Sequence, residues 1–438
     1  MSETAVNPAI GMTNNKLVNI MPHMLSGEEL KKRLLYLPPY SRDICMADRS
    51  TRLMELNDMA DIYIPSAMTY EIYSKLYLSM LRAAGKKMTA AAVRQGYENN
   101  RRIIGKPGNS ILGGCDSFSI IGQAGIGKST AIVKSLEAAG ATEIIRLTNP
   151  YVNVIPCINV QCPHDCSVKS MLFSILSEVD ERLGTRYHER AVRSRATIDS
   201  LIGTVSQVAV NHILLLVVDE CQNICRNKGG VNVVSALTQL INSSGISICL
   251  VGLPETELFF RREMHLARRS VGLSYLKQDC DDFFISFCSV LYGFQYVAHP
   301  QEITPEIIET LYQCSSGIIG IVLSLLMEAQ QVAILSDREE LTKELLLETF
   351  QTRMKNVNDF VEVYGKKRPQ TSSVQRKKTA PKAMPKEKGT DIPHEPEKGQ
   401  IRPENAFQIN NMAHAGEDVD TLLELMRESG FALTEVAV

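Results

Sequence analysis

A glycine-rich stretch near residue 120 constrains this chain more than any other feature. The segment SFSIIGQAGIGKSTAIVKSL, residues 117–136, contains the pattern G-x-x-x-x-G-K-[ST] between Gly122 and Ser129. An apolar β-branched run precedes the pattern, and apolar residues at helical spacing follow it. The stretch therefore predicts a strand, an anion-binding loop and a helix N-terminus, because this layout aims backbone N–H groups and a helix dipole at phosphates.

The side chains of this loop suit a nucleoside triphosphate, ATP or GTP. Lys128 is placed to reach the β- and γ-phosphates, and the Ser129 hydroxyl is placed to hold Mg²⁺. The predicted nucleotide-binding residues of the loop are Gly122, Gln123, Ala124, Gly125, Ile126, Gly127, Lys128, Ser129 and Thr130.

A second nucleotide signal follows later in the chain. The apolar run Ile213–Val218 predicts a buried strand, and Asp219 and Glu220 come directly after it. Asp219 is placed to join Ser129 in the Mg²⁺ shell, and Glu220 is placed to polarise an attacking water. A catalytic base supplied by the protein favours an ATPase or GTPase over a kinase, with Lys128 and Glu220 as catalytic residues.

Composition describes an ordinary globular protein. The chain has 438 residues, of which 44% are hydrophobic and 22% charged, with a formal net charge of −2. No apolar run approaches the ~20 residues of a membrane span, so we expect no membrane partner. The N-terminus lacks a secretory pattern, and the eleven cysteines lack a disulfide-framework spacing. These features predict a cytoplasmic protein with reduced thiols.

The order of elements predicts an α/β fold. Strands are expected at 118–121, 154–160, 213–218 and 246–251, with helices between them, whereas only helices are expected after residue 281. Strands that alternate with helices indicate a parallel, doubly wound sheet with the nucleotide at the carboxyl edge of the strands. In the N-terminal part, helices are expected at 26–35, at 43–59 and after Pro65.

Composition changes divide the chain into four predicted parts. Residues 365–405 hold eleven Lys and Arg, five Asp and Glu and six prolines, which predicts a disordered basic linker. Val419, Leu422, Leu423 and Met426 then form an apolar stripe that is either a partner-docking peptide or a frayed end. The predicted parts are a helical extension at 1–106, a P-loop ATPase core at 107–280, a helical lid at 281–362 and a disordered tail at 363–438.

The sequence contains two basic clusters, each of which has two possible roles. Residues 86–106 carry Lys86, Lys87, Arg94, Arg101, Arg102 and Lys106, which form either a solvated face or a phosphate-contacting surface. Arg261, Arg262, Arg268 and Arg269 follow the strand at 246–251. They form either a solvated basic helix or a source of an arginine that reaches the γ-phosphate of a neighbouring subunit.

With these residues in view, the chain resembles an AAA+ ATPase, and more narrowly the TnsC/TniB group of ATP-dependent regulators of Tn-seven-like transposons. The resemblance covers roughly residues 40–350. It rests on five stretches: GQAGIGKST, IPCINVQCPHDCSVKSM, LLLVVDECQN, ICLVGLPETELFF and SSGIIGIVLSLLMEAQ. The phosphate-loop motif is widespread among ATPases, whereas the CP-x-D-x-S, DE-x-Q-N and SSGIIG segments are narrower.

The resemblance implies an AAA+ protein that binds ATP and Mg²⁺ and forms a ring or helical filament on double-stranded DNA. It implies a signal from a target-selector protein or an RNA-guided complex, and recruitment of a transposase through the C-terminal tail. Arg268 or Arg269 matches the place of the trans-acting arginine. The segments Gly252-Leu253-Pro254 and Gly317–Gly320 depart from the family pattern, because they offer neither a polar γ-phosphate sensor nor a lid arginine. We therefore expect slow or partner-dependent turnover.

Two other functions stay open at this point. One is an AAA+ ATPase of a secretion or signalling type without a role on DNA. The other is a relative of replication initiators or helicase loaders, although no winged-helix pattern is clear after residue 350. The basic cluster at 86–106 mildly favours a DNA-binding protein over a secretion ATPase.

Overall fold

The computed structural model describes residues 15–148, 150–227, 229–257, 270–275 and 277–355. The predicted tail at 363–438 lies outside these residues, and so do Arg261, Arg262, Arg268 and Arg269.

One mixed sheet forms the centre of the described chain. Its strands are β1 (Ser117–Gly122), β2 (Ile145–Thr148), β3 (Tyr151–Gln161), β4 (Ile213–Asp219), β5 (Ser247–Gly252) and β6 (Ser270–Tyr275), in the order β2-β3-β4-β5-β1-β6. Strand β2 pairs antiparallel with β3, and the other pairs are parallel. The predicted parallel sheet is thus confirmed, and the sequence analysis missed the two edge strands β2 and β6.

Helices cover both faces of this sheet. Between β1 and β6 the described helices are α6 (Lys128–Ala138), α7 (Val168–Leu183), α8 (Tyr187–Arg193), α9 (Ile198–His212), α10 (Gln222–Arg226) and α11 (Gly230–Ser244). Along β4, Leu216 and Val218 pack into the core formed with α7, α9 and α11, whereas Leu215 and Val217 pack into the core on the opposite face. A strand buried on both faces reads as a continuous apolar run, which is the reason for the sequence LLLVV.

Strand register brings the two sequence motifs to one edge. Ile121, which precedes the glycine-rich loop, pairs with Gly252 at the end of β5. Val218 pairs with Leu250 in the same strand, so Asp219 ends beside that position. Because these strands are parallel, their carboxyl ends form a single crevice, where ligands bind in open α/β sheets.

The N-terminal extension is helical and contacts two cores. Its elements are α1 (Lys16–Ile20), α2 (Gly27–Leu34), a 3₁₀ helix (Arg42–Met46), α3 (Arg49–Glu55), a second 3₁₀ helix (Leu56–Asp61), α4 (Ala67–Lys86) and α5 (Ala90–Ile103). The single helix predicted over 43–59 is wrong. The Asp48 carboxylate accepts hydrogen bonds from the backbone N–H groups of Ser50 and Thr51, which starts a new helix in the middle of that range.

Among the described residues, four helices after the sheet form a separate apolar core. They are α12 (Asp282–Gly293), α13 (Pro305–Ser315), α14 (Ile319–Leu335) and α15 (Lys343–Arg353). Leu56, Met59 and Ile62 of the extension pack into this core. The buried Arg52 guanidinium also binds the Glu339 carboxylate through two hydrogen bonds of 2.6 and 2.8 Å. The extension and the helices predicted as a lid are therefore joined by apolar and charged contacts.

No single helix among the described residues is both long and apolar enough to cross a membrane. One pair, α13 and α14, reaches that length and composition only when taken together, and it is bent by 115°.

Candidate functional site

The glycine-rich loop between β1 and α6 has a backbone shape that requires glycine. Gly125 and Gly127 have φ angles of +80° and +88°, in the left-handed region that other residues rarely adopt. A Cβ atom on Gly122 would lie 2.4 Å from Ile126 Cδ1 and 2.5 Å from the carbonyl oxygen of Tyr275. The spacing of the glycines in the sequence thus follows from the shape of this loop.

Lys128 is the first residue of α6 and turns back over the loop. Its Nζ donates hydrogen bonds of 2.8 Å to the carbonyl oxygen of Gly122 and 2.7 Å to that of Gln123. Burial lowers the pKa of Lys128, and the charges of Asp219 and Glu220 oppose that effect. The ammonium is thereby held at the mouth of the loop.

Ser129 and Asp219 lie 90 positions apart in sequence and meet at the carboxyl edge of the sheet. The Ser129 hydroxyl donates a 3.0 Å hydrogen bond to Asp219 Oδ2. The backbone N–H of Glu220 donates to Asp219 Oδ1 at 2.7 Å. A hydroxyl and a carboxylate oxygen in contact are the hard donors that Mg²⁺ prefers, so this pair fits the predicted metal shell.

Glu220 occupies an unusual backbone conformation next to this pair. Its φ is +59°, a left-handed value for a residue with a side chain, and the side chain is exposed at the edge of the crevice. Left-handed non-glycine residues of this kind cluster at functional sites. The Glu220 carboxylate accepts a hydrogen bond from Gln222 Nε2.

The residues present fit a triphosphate with Mg²⁺. The glycine loop, the Lys128 ammonium and the N-terminus of α6 supply positive potential and donors on one side. Thr130 is exposed in the first turn of the same helix. Asp219 and Glu220 supply carboxylates on the other side. The structure therefore brings the loop residues Gly122 to Thr130 together with both predicted acids.

The helices predicted as a lid touch the loop through their backbone. The N–H of Gly320, in the first turn of α14, donates a 3.0 Å hydrogen bond to the carbonyl oxygen of Gly125. A Cβ on Gly320 would lie 2.7 Å from that oxygen. The sequence analysis found no arginine in the segment Gly317–Gly320. In the structure, Gly320 of this segment makes a backbone contact with the loop that only glycine permits.

A cavity of about 180 Å³ adjoins the loop beside Ile126. Its walls come from four separate segments, and its lining includes Ser66, Met68, Ile126, Tyr275, Phe283 and Ile319. Apart from Ile126, which was predicted as part of the loop, sequence reasoning missed these residues, because no local motif links the extension, the loop, β6 and the lid. The mixture of apolar, aromatic and hydroxyl groups suits a nucleobase.

Strand β5 ends at Gly252 with little room for a side chain. A Cβ on Gly252 would lie 2.6 Å from Thr256 Oγ1, and the Thr256 side chain is fully buried. The side chain that lies against the end of this strand is thus the buried hydroxyl of Thr256, four residues downstream.

The basic cluster at 86–106 is only partly turned to solvent: Arg94, Arg101 and Lys106 are exposed, whereas Lys86 and Arg102 are half-buried and Lys87 is buried. Lys87 Nζ donates to the carbonyl oxygens of Ala209 and Ser244 at the C-termini of α9 and α11. Burial lowers the pKa of Lys87 to about 7. Arg102 binds the carbonyl oxygen of Gly108 with Nε and Nη2 at 3.1 and 2.7 Å. The sequence analysis considered two roles for this cluster, a solvated face and a phosphate-contacting surface. Lys87 and Arg102 have neither role.

A second basic segment, missed from sequence, lies around α8. Arg186, Arg190, Arg193 and Arg195 are all exposed there, and Glu189 is the acid between them. A count of charges over residues 184–197 would have found it. In the described part of the chain, this segment presents four guanidinium groups to solvent within ten positions.

Comparison with known proteins agrees with this architecture. Residues 112–260 match the sequence model of a family described as AAA domain. This match spans the loop, Asp219 and Glu220. The P-loop AAA+ fold of this region is an α/β core with a mostly parallel sheet, which a helical extension precedes and a helical bundle follows in the chain. No curated protein matches the sequence.

Many solved structures are similar in part, and three of them illustrate the likeness. The Aeropyrum pernix ORC1 protein in complex with DNA is 15% identical with a TM-score of 0.40, covering 61% of this chain and 64% of that one. Drosophila ORC bound to DNA is 11% identical with a TM-score of 0.41, covering 75% and 73%. A RuvB mutant from Thermotoga maritima is 13% identical with a TM-score of 0.31, covering 78% and 88%. The chain thus spans less than two thirds of the Aeropyrum protein.

Proposed function

We propose that this protein hydrolyses ATP and that the hydrolysis cycle controls its assembly on double-stranded DNA during transposition. The observation that carries the ATPase proposal is the meeting of the Ser129 hydroxyl with Asp219 at 3.0 Å beside Lys128 and Glu220. Lys128 would bind the phosphates, Ser129 and Asp219 would hold Mg²⁺, and Glu220 would accept the proton of the attacking water. Bound Mg²⁺ would neutralise phosphate charge.

The proposed nucleotide-binding function of the loop is tested by measuring the affinity of a loop variant for nucleotide. Lys128→Ala should weaken binding of a fluorescent ATP analogue by about tenfold or more, because it removes a charge-assisted contact to phosphate. Thr352→Ala, at an exposed position in α15 outside the site, is a matched control for purification and folding. Unchanged affinity of the Lys128 variant would refute the assigned loop function.

The role in transposition is supported by the resemblance of the sequence to the TnsC/TniB group. The exposed arginines around α8 support the DNA-binding part of this role, since phosphate contacts by Arg and Lys dominate affinity for DNA. In this proposal ATP stabilises subunit contacts, with Arg268 or Arg269 reaching the neighbouring site, and hydrolysis releases them. Residues 363–438 would engage the transposase, and a protein or RNA-guided complex would select the target.

Particle size on double-stranded DNA tests this part of the proposal. Large DNA-bound assemblies should form with ATP or a non-hydrolysable analogue and should be absent with ADP. No association with DNA under any nucleotide would favour a secretion or signalling ATPase. Assemblies that load a helicase, and do not recruit a transposase, would favour an initiator or loader.

A further inference from the structure

We propose that a cavity between α5, α8 and α9 is a second nucleotide site, which binds a ribonucleoside 5′-phosphate. The cavity has a volume of about 720 Å³, and the described residues of the glycine-rich loop do not line it. Small-molecule sites are clefts of this size with apolar walls and a few converging polar groups. The proposed hydrolysis of ATP makes no use of this cavity, so its ligand is a separate molecule.

Two arginines supply the positive charge of this cavity. Arg190 and Arg195 line it, whereas Arg186 and Arg193 of the same basic segment do not, and these two form ion pairs with Glu189. Within the described part of the chain, the side chains of Arg190 and Arg195 have neither an ion-pair nor a hydrogen-bond partner, and no acid lines the cavity. Two unpaired guanidinium groups on one cavity suit a phosphate, whose oxygens accept from paired N–H donors.

The backbone on both sides of α8 is held in place. At the start of the helix, the N–H of Tyr187 donates to Asp180 Oδ1 at 2.8 Å. After its end, the N–H of Ala196 donates to the carbonyl oxygen of Ala191 at 3.2 Å, and Arg195 between them has a left-handed φ of +49°. Left-handed residues with side chains cluster at functional sites. The turn therefore fixes the backbone from which this guanidinium projects.

The hydroxyl groups of the cavity are placed to accept hydrogen bonds. Three of them line it, and each donates its proton to a backbone carbonyl oxygen: Ser194 to Ala191 at 3.1 Å, Ser200 to Ile103 at 3.1 Å and Thr204 to Ser200 at 3.0 Å. A hydroxyl has one proton and two lone pairs, so these oxygens keep acceptor capacity for a ligand. The hydroxyl groups of a ribose are donors of the matching kind.

The remaining wall of the cavity is apolar. Its lining includes the ring of Tyr187 and the aliphatic side chains of Ile103 and Val208. An aromatic ring beside aliphatic groups gives a planar base a surface on which to stack. The cavity thus offers donors for a phosphate, acceptors for a sugar and an apolar surface for a base, which are the three parts of a nucleotide.

A nucleotide in this cavity would occupy two of the four arginines assigned to DNA. AMP should therefore weaken the binding of the protein to double-stranded DNA. This consequence rests on the proposed function, whereas binding of the nucleotide itself does not.

Calorimetric titration of AMP into the full-length Lys128→Ala protein tests the site, because this substitution removes a phosphate contact of the glycine-rich loop. AMP should still bind. Adding Arg190→Met and Arg195→Met should weaken that binding by about tenfold or more, since two charge-assisted contacts are lost. Adding Arg186→Met and Arg193→Met instead is the matched control and should leave the affinity for AMP unchanged. Equal melting temperatures of the two resulting proteins check that both are folded.

Fragments of the ligand test each part of the assignment in the same protein. Adenosine, inorganic phosphate and 2′-deoxy-AMP should all bind more weakly than AMP. Adenosine as tight as AMP would refute the role of the arginines, and phosphate as tight as AMP would reduce the cavity to an anion site. Equal affinity for 2′-deoxy-AMP would refute the assignment of a ribose.

The 5′-phosphorylated end of an RNA strand offers the same chemistry as free AMP. Two short RNAs that differ only in a 5′-phosphate distinguish these sources when they compete with AMP. Stronger displacement by the phosphorylated RNA would identify a strand end as the ligand, and equal displacement by both would identify the free nucleotide. Either result keeps the site.

The outcomes separate this inference from the proposed function. Absence of AMP binding to the Lys128→Ala protein would overturn the second site and leave the ATPase and DNA proposals standing. An equal loss of AMP affinity in the two pairs of arginine variants would also overturn it. If AMP binds through Arg190 and Arg195 but the wild type does not bind DNA, the cavity stands and the DNA proposal fails.

Discussion

Two basic segments of this protein look alike in sequence and differ in structure. The first, residues 86–106, directs much of its charge into the protein, where Lys86, Lys87 and Arg102 bind backbone carbonyl oxygens. The second, residues 186–195, presents its arginines to solvent around α8. The difference teaches that a run of Lys and Arg does not identify a nucleic-acid surface until the partners of each side chain are known.

The largest effect should come from the second segment. Replacing Arg186, Arg190, Arg193 and Arg195 by Ala should weaken binding to double-stranded DNA by at least about tenfold, because exposed guanidinium groups neutralise phosphates. The magnitude of the slope of log affinity against log salt should fall by up to about 4, or about 0.9 for each phosphate contact that is lost. Fluorescence anisotropy over a salt series measures both quantities.

The matched control for that variant lies in the first segment. Arg94 and Arg101 are the exposed arginines of α5, and replacing both by Ala should change DNA affinity and its salt slope less than the four-arginine variant does. A larger loss for the Arg94 and Arg101 pair would reverse the comparison and return the DNA surface to residues 86–106.

The next effect concerns the buried amine of Lys87. Its pKa is about 7 in the folded protein, lowered by burial from an ordinary value of 10.5. Between these pH values the unfolded chain binds the extra proton, so raising the pH favours the folded state. Relative to Lys87→Met, the wild type should gain about 1.4 kcal/mol of unfolding free energy per pH unit from pH 7 to 10.

Urea denaturation at several pH values measures this dependence. Lys86→Met removes a half-buried ammonium one position earlier and should follow the wild-type curve. If the unfolding free energies of wild type and Lys87→Met changed in parallel with pH, Lys87 would stay charged in the folded protein. That result would contradict the burial of this amine.

The smallest effect concerns Arg102. Arg102→Met removes two hydrogen bonds to the carbonyl oxygen of Gly108 and should lower the free energy of unfolding by about 1 kcal/mol. Arg94→Met, on the exposed side of the same helix, should leave stability within about 0.5 kcal/mol of wild type. Equal destabilisation by the two variants would mean that Arg102 is ordinary surface.

The parts of the fold that depend on neighbouring residues in the sequence could be predicted. The strand, loop and helix around Gly122 and Lys128 are encoded by adjacent residues. The strand is an apolar run, the glycines determine the turn, and apolar residues at helical spacing follow the turn. The buried β4 and the acids after it are equally local. The match of residues 112–260 to an AAA domain confirms that these segments carry the fold.

The features that sequence reasoning missed form through contacts between segments that are distant in the sequence. Strand β6 contains Gly272, and it forms by pairing along its length with the edge of β1. The cavity beside Ile126 and the contact of Gly320 with Gly125 join parts of the chain that no motif connects. The inward role of Lys87 likewise rests on carbonyl groups more than a hundred positions away.

The most direct test of the central claim is the effect of Glu220→Gln on two quantities measured in one preparation. The affinity for a non-hydrolysable ATP analogue should match that of the wild type, because Glu220 is assigned to the proton of the attacking water. The rate of ATP hydrolysis in the presence of DNA should fall by about a hundredfold or more. A hydrolysis rate equal to that of the wild type would contradict the account, since the base would then lie elsewhere.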